Sequence, residues 1–223
     1  VLPLFHTGGL NCYCNPAIHL GGINVIMRSF DAGDCLKLIH EGEYDISHFL
    51  AVPTVFLFMS QHPLFNETDF RTLKILGVGG APVPKELQKL YIERGLELLN
   101  GYGMTETSPS IAVSHLGQSE KKLGSSGFPV LHAEVIIADK NKKRVSTPNK
   151  VGEIWVKGPL VTPGYYNNVE ANKSAFVDGW FCSGDAGYLD DDGYLYIVDR
   201  WKDMYISGGE NVYPAEIENV IYK

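Results

Sequence analysis

The alternation of strand-like and helix-like segments over residues 22–100 constrains the fold of this chain more than any other feature. The strand-like segments are β-branched and apolar, whereas the segments between them carry apolar residues at helical spacing. This rhythm is typical of a parallel sheet with flanking helices, so we predict an α/β fold. In chain order, the predicted elements are strand 23–30, helix 31–43, strand 48–53, helix 53–63, strand 73–78, helix 84–95 and strand 96–100.

A different pattern begins after residue 118, where short strands are separated by glycine and proline. The segments AEVIIAD, GEIWVKG and GYLYIVD each have the length and composition of a short strand. Their spacing predicts a β-rich subdomain, built as a small antiparallel sheet or a distorted barrel. A further helix is predicted near Pro214. We therefore divide the chain into residues 1–118, 119–199 and 200–223.

The charge of the chain restricts the partners that it is expected to bind. The hydrophobic fraction of 44% is that of an ordinary globular protein. The net charge of the chain is −7. A nucleic-acid binder needs clustered lysines and arginines for its phosphate contacts, so this acidic balance argues against that class of protein. The one basic run, KNKKR at residues 140–144, is predicted to be an exposed hairpin tip.

The cysteines and the hydropathy indicate a cellular location. The cysteines are Cys12, Cys14, Cys35 and Cys182, of which only the first two are close together, so no second pair completes a zinc site and they are too few for a disulfide framework. No apolar run approaches the roughly 20 residues of a membrane helix, and no signal peptide opens the chain. We expect a cytoplasmic protein without a transmembrane segment, and leave open a peripheral membrane contact and a homodimer. Because the chain begins with Val1 rather than methionine, we expect a piece of a longer protein.

Two glycine-rich segments follow neighbouring predicted strands. GVGGAPVP, residues 77–84, comes after the third strand, and NGYGMTE, residues 100–106, comes after the fourth. Both would lie at the carboxyl ends of parallel strands, where open α/β sheets bind ligands, so one shared pocket is predicted. A polar loop with a surface tyrosine is the alternative interpretation of the second segment.

The second segment also carries candidate chemistry. Gly101 and Gly103 are expected to adopt backbone angles that a side chain would forbid, so that the chain turns sharply and approaches another molecule. Tyr102 would then present a flat face. Thr105 and Glu106 would supply a hydrogen bond to a phosphate and an oxygen ligand for a hard cation such as Mg²⁺.

Motifs spread over nearly the whole chain resemble, in the same order, those of AMP-forming acyl-CoA synthetases of the adenylate-forming superfamily. The resemblance implies two reactions. A carboxylic acid attacks the α-phosphate of ATP to give acyl-AMP and pyrophosphate, and the thiol of CoA then displaces AMP. The similar motifs are PLFHTGG (3–9), GGAP (79–82), GYGMTE (101–106), GSSGFP (124–129), VGEIWVKGP (151–159), YYNN (165–168), FCSGDAGYLDDDGYLYIVDR (181–200) and WKDMYISGGENVYPAEIE (201–218).

The resemblance implies a role for individual residues in binding ATP. Tyr102 would stack on the adenine, Thr105 would hydrogen-bond the α-phosphate, and Asp185 would accept hydrogen bonds from the ribose. Glu106 would hold Mg²⁺ and offset the charge that builds on the phosphorus during attack. The residues implied to contact the nucleotide are Gly80, Ala81, Pro82, Asn100, Gly101, Tyr102, Gly103, Thr105, Asp185 and Arg200.

Other residues would act on the acid and on CoA. His6 would lie beside the reacting carboxylate and place the acyl group, and it counts with Thr105 and Glu106 as a catalytic candidate. Lys202 would be the hinge of a mobile C-terminal domain that begins at residue 200. The loop with Ser207, Gly208 and Gly209 would contact CoA. Residues 1–118 would then carry the adenine and acyl sites, and residues 119–199 the ribose-binding Asp185.

Two parts of the family pattern are absent from the sequence: a phosphate-binding loop ending in Pro-Lys-Gly, and the C-terminal lysine that contacts the α-phosphate. We therefore expect the chain alone to be inactive, because losing even one preorganised donor typically lowers turnover by about 10² to 10³. A medium- or long-chain fatty acid is the expected substrate. The apolar run FLAVPTVFLF would either line the acyl chain of that substrate or lie in the protein core. The alternatives are acyl delivery to a carrier protein, luciferase-type oxidation and a non-catalytic nucleotide-binding module.

Overall fold

A five-stranded mixed sheet organises the first part of the protein. The computed structural model describes residues 1–207, 210–214 and 217. The first three strands are parallel, which confirms the predicted α/β arrangement, and the last two are antiparallel. In their order across the sheet, the strands are β1 (His48–Ala51), β2 (Ile75–Gly79), β3 (Leu98–Gly103), β4 (Ser110–Val113) and β5 (Phe128–Pro129).

The three predicted helices form, one before β1 and the other two between the parallel strands. They are α2 (Ala32–Glu41), α3 (Pro53–Gln61) and α4 (Lys85–Glu93), and they follow a short α1 (Asn15–His19). Asp31 caps α2 by accepting a hydrogen bond from the Asp34 amide at 2.8 Å, as its sequence position indicates. Gly95 follows α4 with a φ of 72°, a left-handed conformation that glycine adopts without a steric penalty.

The core of this part lies where α3 and α4 meet. Phe56 and Tyr91 are fully buried with their rings edge to face, and the Tyr91 hydroxyl donates to the Phe56 carbonyl at 2.9 Å. Phe56 belongs to the apolar run that was expected either to line an acyl chain or to lie in the core, and it lies in the core. Leu57 and Phe58, which follow it, are 41% and 54% exposed.

The strand predicted at residues 23–30 is wrong, because this segment has no regular secondary structure. It forms no ladder with the free edge of β1, and an apolar strand needs a paired neighbour to satisfy its backbone. Ile23 and Ile26 are accordingly 85% and 61% exposed, although their types favour a strand. Residues between Val1 and Leu50, including this segment and a π-helical turn at Gly8–Cys14, line an open cleft of about 710 Å³.

A second, antiparallel sheet forms the β-rich part, which confirms the predicted antiparallel architecture. Its order is β11, β10, β8, β6 and β7, with β9 paired to β10. The basic run at residues 140–144 is an exposed hairpin tip between β6 and β7, as predicted, and it is held by hydrogen bonds to the Asp139 carboxylate. The elements are β6 (Glu134–Ala138), β7 (Arg144–Val145), β8 (Gly152–Lys157), α5 (Val169–Ala175), β9 (Phe176–Val177), β10 (Trp180–Leu189) and β11 (Leu195–Arg200).

A second hydrophobic cluster contains residues of both sheets. Ile111 and Ala112 of β4 pack with Ile154, Val156 and Leu195 of the second sheet, and all five side chains are fully buried. The faces of the two sheets are therefore held against each other, and residues at their adjoining ends are brought close together.

The connection between the sheets reinforces this contact. The hydroxyl of Ser125 and the amide of Ser126 both donate to the Leu195 carbonyl, at 3.0 and 2.8 Å. Gly127 has a φ of 91°, and a Cβ at this position would lie 2.0 Å from the backbone of Val113. Only glycine fits where the loop passes so close to β4.

The chain continues beyond β11 with two short strands, β12 (Tyr205–Ser207) and β13 (Glu210–Val212), which pair with each other. The helix predicted near Pro214 falls mostly on residues outside the described part of the chain. Among the residues that the structure describes, no helix combines the length and apolarity needed to cross a membrane. The division at residues 118 and 199 remains a prediction.

Candidate active site

The two glycine-rich segments meet at one edge of the first sheet. Gly79 of β2 lies opposite Gly101 of β3, and a Cβ on Gly79 would come within 2.6 Å of the Gly101 carbonyl oxygen. Directly after β2, the exposed segment Gly80, Ala81 and Pro82 leaves the sheet, with Gly80 at a φ of 80°. The side chains at this edge are small, so a ligand can approach the backbone closely.

The expectation of a sharp turn at Gly101 and Gly103 is wrong, because both glycines lie within β3 and neither has a positive φ. Asn100 therefore does not end the strand. Gly103 is needed for a different reason, since a Cβ there would lie 1.8 Å from the Pro109 carbonyl oxygen. A Cβ on Gly101 would meet no atom closer than 3.8 Å, so packing within the chain does not require glycine at this position.

Tyr102, Asp185 and Arg200 form a hydrogen-bonded cluster that joins the two sheets. The Tyr102 hydroxyl donates to Asp185 Oδ2 at 2.5 Å, and Arg200 Nη1 donates to Oδ1 at 2.8 Å. Asp185 lies directly opposite Arg200 in the β10–β11 ladder and is only 7% exposed. Burial, followed by the Asp185 carboxylate, raises the pKa of Tyr102 far above its usual range, so its hydroxyl remains a donor.

The part of β10 that precedes Asp185 is held by hydrogen bonds to the neighbouring strand. Glu153 of β8 accepts a hydrogen bond from the Gly184 amide through Oε1 at 3.2 Å and one from the Trp155 indole through Oε2 at 2.8 Å. The Asp185 amide donates to the hydroxyl of Ser183 at 3.1 Å. These contacts set the position of a carboxylate that burial alone would disfavour.

Thr107 is a residue of this site that sequence reasoning missed. It is fully buried in the 3₁₀ turn Thr105–Thr107, where its hydroxyl accepts from the Met104 amide at 3.2 Å and lies 3.0 Å from the Pro109 carbonyl. Ser108 follows with a φ of 58° and a cis peptide bond to Pro109. The buried hydroxyl thus holds the turn that leaves Thr105 exposed.

Glu106, on the same turn, is half-buried and contacts a distant loop. Its Oε1 accepts from the Tyr165 hydroxyl at 2.9 Å, and its backbone carbonyl accepts from the Thr162 amide at 2.8 Å. Within the described part of the chain, Oε2 accepts no hydrogen bond from the protein.

The donor set around Glu106 fits a Mg²⁺ ion that is held together with a phosphate ligand. Mg²⁺ usually keeps several waters and takes one or two carboxylates plus substrate phosphates, rather than an all-protein cage. No group of three or more His, Cys, Asp or Glu side chains that could enclose a metal occurs among the described residues. Oε2 of Glu106, which accepts no hydrogen bond from the described residues, would be one carboxylate ligand of such an ion.

The remaining predicted residues lie around this centre or apart from it. Asn100 is buried, and its amide donates to the Ser125 carbonyl at 3.0 Å, so its side chain faces the connection between the sheets. His6 is exposed and accepts from the Gly8 amide through Nδ1 at 3.0 Å. Lys202 is exposed in the turn after β11, and Ser207 ends β12, whereas Gly208 and Gly209 lie outside the described residues.

Comparison with known proteins shows which family the chain resembles. A family model described as AMP-binding enzyme matches residues 1–166. Feruloyl-CoA synthase from Amycolatopsis sp is 41% identical over 220 residues, which make up 99% of this chain and 44% of that protein. Long-chain-fatty-acid–CoA ligase from Mycobacterium tuberculosis is 39% identical over 221 residues, with 99% of this chain and 43% of that protein covered.

A solved structure agrees with the fold. O-succinylbenzoate coenzyme A synthetase from Bacillus subtilis, in complex with ATP and magnesium ion, matches with a TM-score of 0.89 at 36% identity. The match covers 99% of this chain and 45% of that one. The chain thus spans less than half the length of each of these proteins.

Proposed function

The chain belongs to the AMP-binding enzyme family, and we propose that the protein of which it forms a part is an AMP-forming acid–CoA ligase. The observation that carries this proposal is the cluster of Tyr102, Asp185 and Arg200, which brings an aromatic ring, a buried carboxylate and a guanidinium together. These groups suit a nucleoside, whose base offers a flat face and whose ribose offers two hydroxyl donors.

The groups at the edge of the first sheet suit the nucleoside of ATP. Gly80, Ala81 and Pro82 are exposed and small, so the adenine would lie along their backbone and against the ring of Tyr102. Each oxygen of Asp185 accepts one hydrogen bond from the protein and has a second lone pair, which would accept from a ribose hydroxyl. A Cβ on Gly101 would meet no described atom closer than 3.8 Å, so packing within the chain does not explain the glycine, and this supports close approach of a ligand.

The turn that follows β3 suits the phosphates. The exposed hydroxyl of Thr105 would donate to the α-phosphate, and the free oxygen of Glu106 would hold Mg²⁺. Mg²⁺ held there would neutralise phosphate charge as the carboxylate of the acid attacks the α-phosphorus and pyrophosphate leaves. Thr107 and Tyr165 would keep the turn and the carboxylate in place throughout this step.

The acid and CoA would enter beside this centre. His6, exposed at the start of the chain, would place the acid, and the loop of Ser207, Gly208 and Gly209 would contact CoA. Lys202 would be the hinge between the two half-reactions. The thiol of CoA would then attack the acyl carbonyl of acyl-AMP and release AMP.

The chemical class of the acid is a separate proposal. A medium- or long-chain fatty acid agrees with the name of the Mycobacterium tuberculosis relative. An aromatic acid is the second candidate, favoured by the names of feruloyl-CoA synthase and of the o-succinylbenzoate synthetase. A pyrophosphate-release screen with saturated acids of graded length and with substituted aryl acids would separate the two classes.

Location and assembly are also proposed. All four cysteines are free thiols, which supports a reducing compartment such as the cytoplasm. A homodimer and a peripheral contact with a membrane remain proposals; sedimentation of the whole protein with and without vesicles would test both.

The activity itself is tested with the whole protein, ATP, Mg²⁺ and the acid panel. We expect pyrophosphate release with at least one acid, and conversion of that acid to a thioester once CoA is added. Pyrophosphate release without a thioester would favour delivery to a carrier protein. Nucleotide binding without pyrophosphate release for any acid would instead indicate a non-catalytic nucleotide-binding module.

A further inference from the structure

We propose that Tyr165 is a positioning residue, which is itself held by Asn172 and fixes the Glu106 carboxylate in the orientation that binds Mg²⁺. This inference rests on the proposed function, because it takes Glu106 as the ligand of the ion. It adds two side chains, Tyr165 and Asn172, to the machinery of the site.

The segment Thr162–Tyr165 contacts Glu106 at two points. The Tyr165 hydroxyl donates to Oε1 at 2.9 Å, while the Thr162 amide donates to the Glu106 backbone carbonyl at 2.8 Å. Tyr165 and Glu106 are 59 residues apart in the sequence, so this contact is a product of the tertiary fold. Because the segment contacts both the backbone and the side chain, it restricts rotation of the carboxylate as well as movement of the turn.

Asn172 holds Tyr165 in turn. Its Oδ1 accepts from the Tyr165 amide at 2.7 Å, and its Nδ2 donates to the Tyr165 carbonyl at 3.0 Å. One side-chain amide thus satisfies both backbone groups of Tyr165, as a neighbouring strand would do. Asn172 lies on α5, which is capped by Asn168 accepting from the Ala171 amide at 3.1 Å. The support for Tyr165 therefore comes from an ordered helix.

The packing around Asn172 leaves little freedom to this arrangement. Gly164 has a φ of 146°, and a Cβ there would come within 3.0 Å of Asn172 Oδ1. The hydroxyl of Thr162 lies 3.2 Å from the Gly164 carbonyl and 3.3 Å from its amide. In this loop, Thr162, Gly164 and Tyr165 are thus each held by at least one hydrogen bond.

The two carboxylate oxygens of Glu106 would therefore have different roles when the ion is bound. Oε1 accepts from the Tyr165 hydroxyl, whereas Oε2 accepts no hydrogen bond from the described residues and keeps both of its lone pairs for the metal. A hydrogen bond to a ligating carboxylate orients the ligand, and removal of such a partner typically lowers metal affinity or activity by about 10- to 100-fold.

The test measures the affinity of the whole protein for a nucleotide with and without Mg²⁺, and the ratio of the two affinities reports how strongly the ion contributes to nucleotide binding. The probe is α,β-methylene-ATP, which cannot release pyrophosphate, titrated calorimetrically in Mg²⁺ and again in EDTA. We expect Tyr165→Phe to lower the ratio of the two affinities by about tenfold and to leave the affinity in EDTA unchanged. Asn172→Ala should lower the same ratio, which provides a second variant if the first folds poorly.

Tyr166→Phe is the matched control, because it makes the same chemical change at the next residue, which is 93% exposed. A Tyr165→Phe protein with the melting temperature and the affinity ratio of Tyr166→Phe would overturn the positioning role. Glu106→Gln sets the lower limit of the ratio. If Glu106→Gln also kept the wild-type ratio, the role of Glu106 in the proposed function would fail, and the inference with it.

Discussion

Replacement of Asp185 with asparagine tests the nucleoside site most directly. The amide has nearly the same shape as the carboxylate, but it carries no charge and only one of its two polar atoms accepts hydrogen bonds. It therefore cannot accept from Arg200, from Tyr102 and from a ribose at the same time. We expect Asp185→Asn to weaken the binding of AMP to the whole protein.

The size of the effect follows from the geometry. Hydrogen bonds to a charged acceptor contribute about 1.5–3 kcal/mol each. The ion pair with Arg200 is screened, since the arginine side chain is 57% exposed, whereas the bond to a ribose would form at the Asp185 side chain, of which 11% is exposed. Counting the ribose bond alone, we expect the dissociation constant of AMP to rise about 10- to 100-fold.

The assay is calorimetric titration with AMP, with the melting temperature as a check of folding. Asp191→Asn is the matched control, because Asp191 is exposed in the turn after β10 and its carboxylate accepts only from the Asn149 side chain, at 3.0 Å, among the described residues. A folded Asp185→Asn protein whose affinity for AMP stays within about threefold of the wild type would refute the assignment of Asp185 to the ribose. So would an equal loss of affinity in the control.

Three further substitutions test the site and the core. Gly103→Ala should destabilise the protein by about 3 kcal/mol in urea unfolding, because the new Cβ would lie 1.8 Å from the Pro109 carbonyl oxygen. Gly101→Ala should leave the unfolding midpoint unchanged and weaken AMP binding several-fold in calorimetry; unchanged binding would argue against a ligand above Gly101. Tyr91→Phe should lower the unfolding free energy by about 1 kcal/mol, since it removes the hydrogen bond from the Tyr91 hydroxyl to the Phe56 carbonyl, and AMP affinity should not change.

Local sequence patterns were sufficient to predict the helices, whose backbone hydrogen bonds lie within the helix itself. They were also sufficient for the strands that pair in the expected order. The capping Asp31 and the glycine at residue 95 are local signals, and the structure confirms the helices next to them. The segment at residues 23–30 has the composition of a strand but no partner at the edge of β1. Strand formation depends on that partner, which composition does not specify.

The site itself was predictable only in part, for the same reason. Tyr102, Glu106 and Asp185 were found because they occur in motifs, but the bonds among them and their neighbours were not. Nothing in the local sequence indicates that Tyr165 reaches Glu106, or that Asp185 accepts from two different strands. Thr107 directly follows the motif GYGMTE, and its buried hydroxyl was overlooked because its role depends on the 3₁₀ turn that it closes.

The core shared by the two sheets also affects how the protein unfolds. Unfolding of either sheet would expose the fully buried Ile111 or Ile154 to water. It would also break the hydrogen bonds from Ser125 and Ser126 to the Leu195 carbonyl. We therefore expect residues 1–200 to melt in one cooperative transition, with equal calorimetric and van't Hoff enthalpies. Because Tyr102 and Asp185 come from different sheets, a bound nucleotide would raise the temperature of that single transition and protect amides in both sheets from hydrogen exchange.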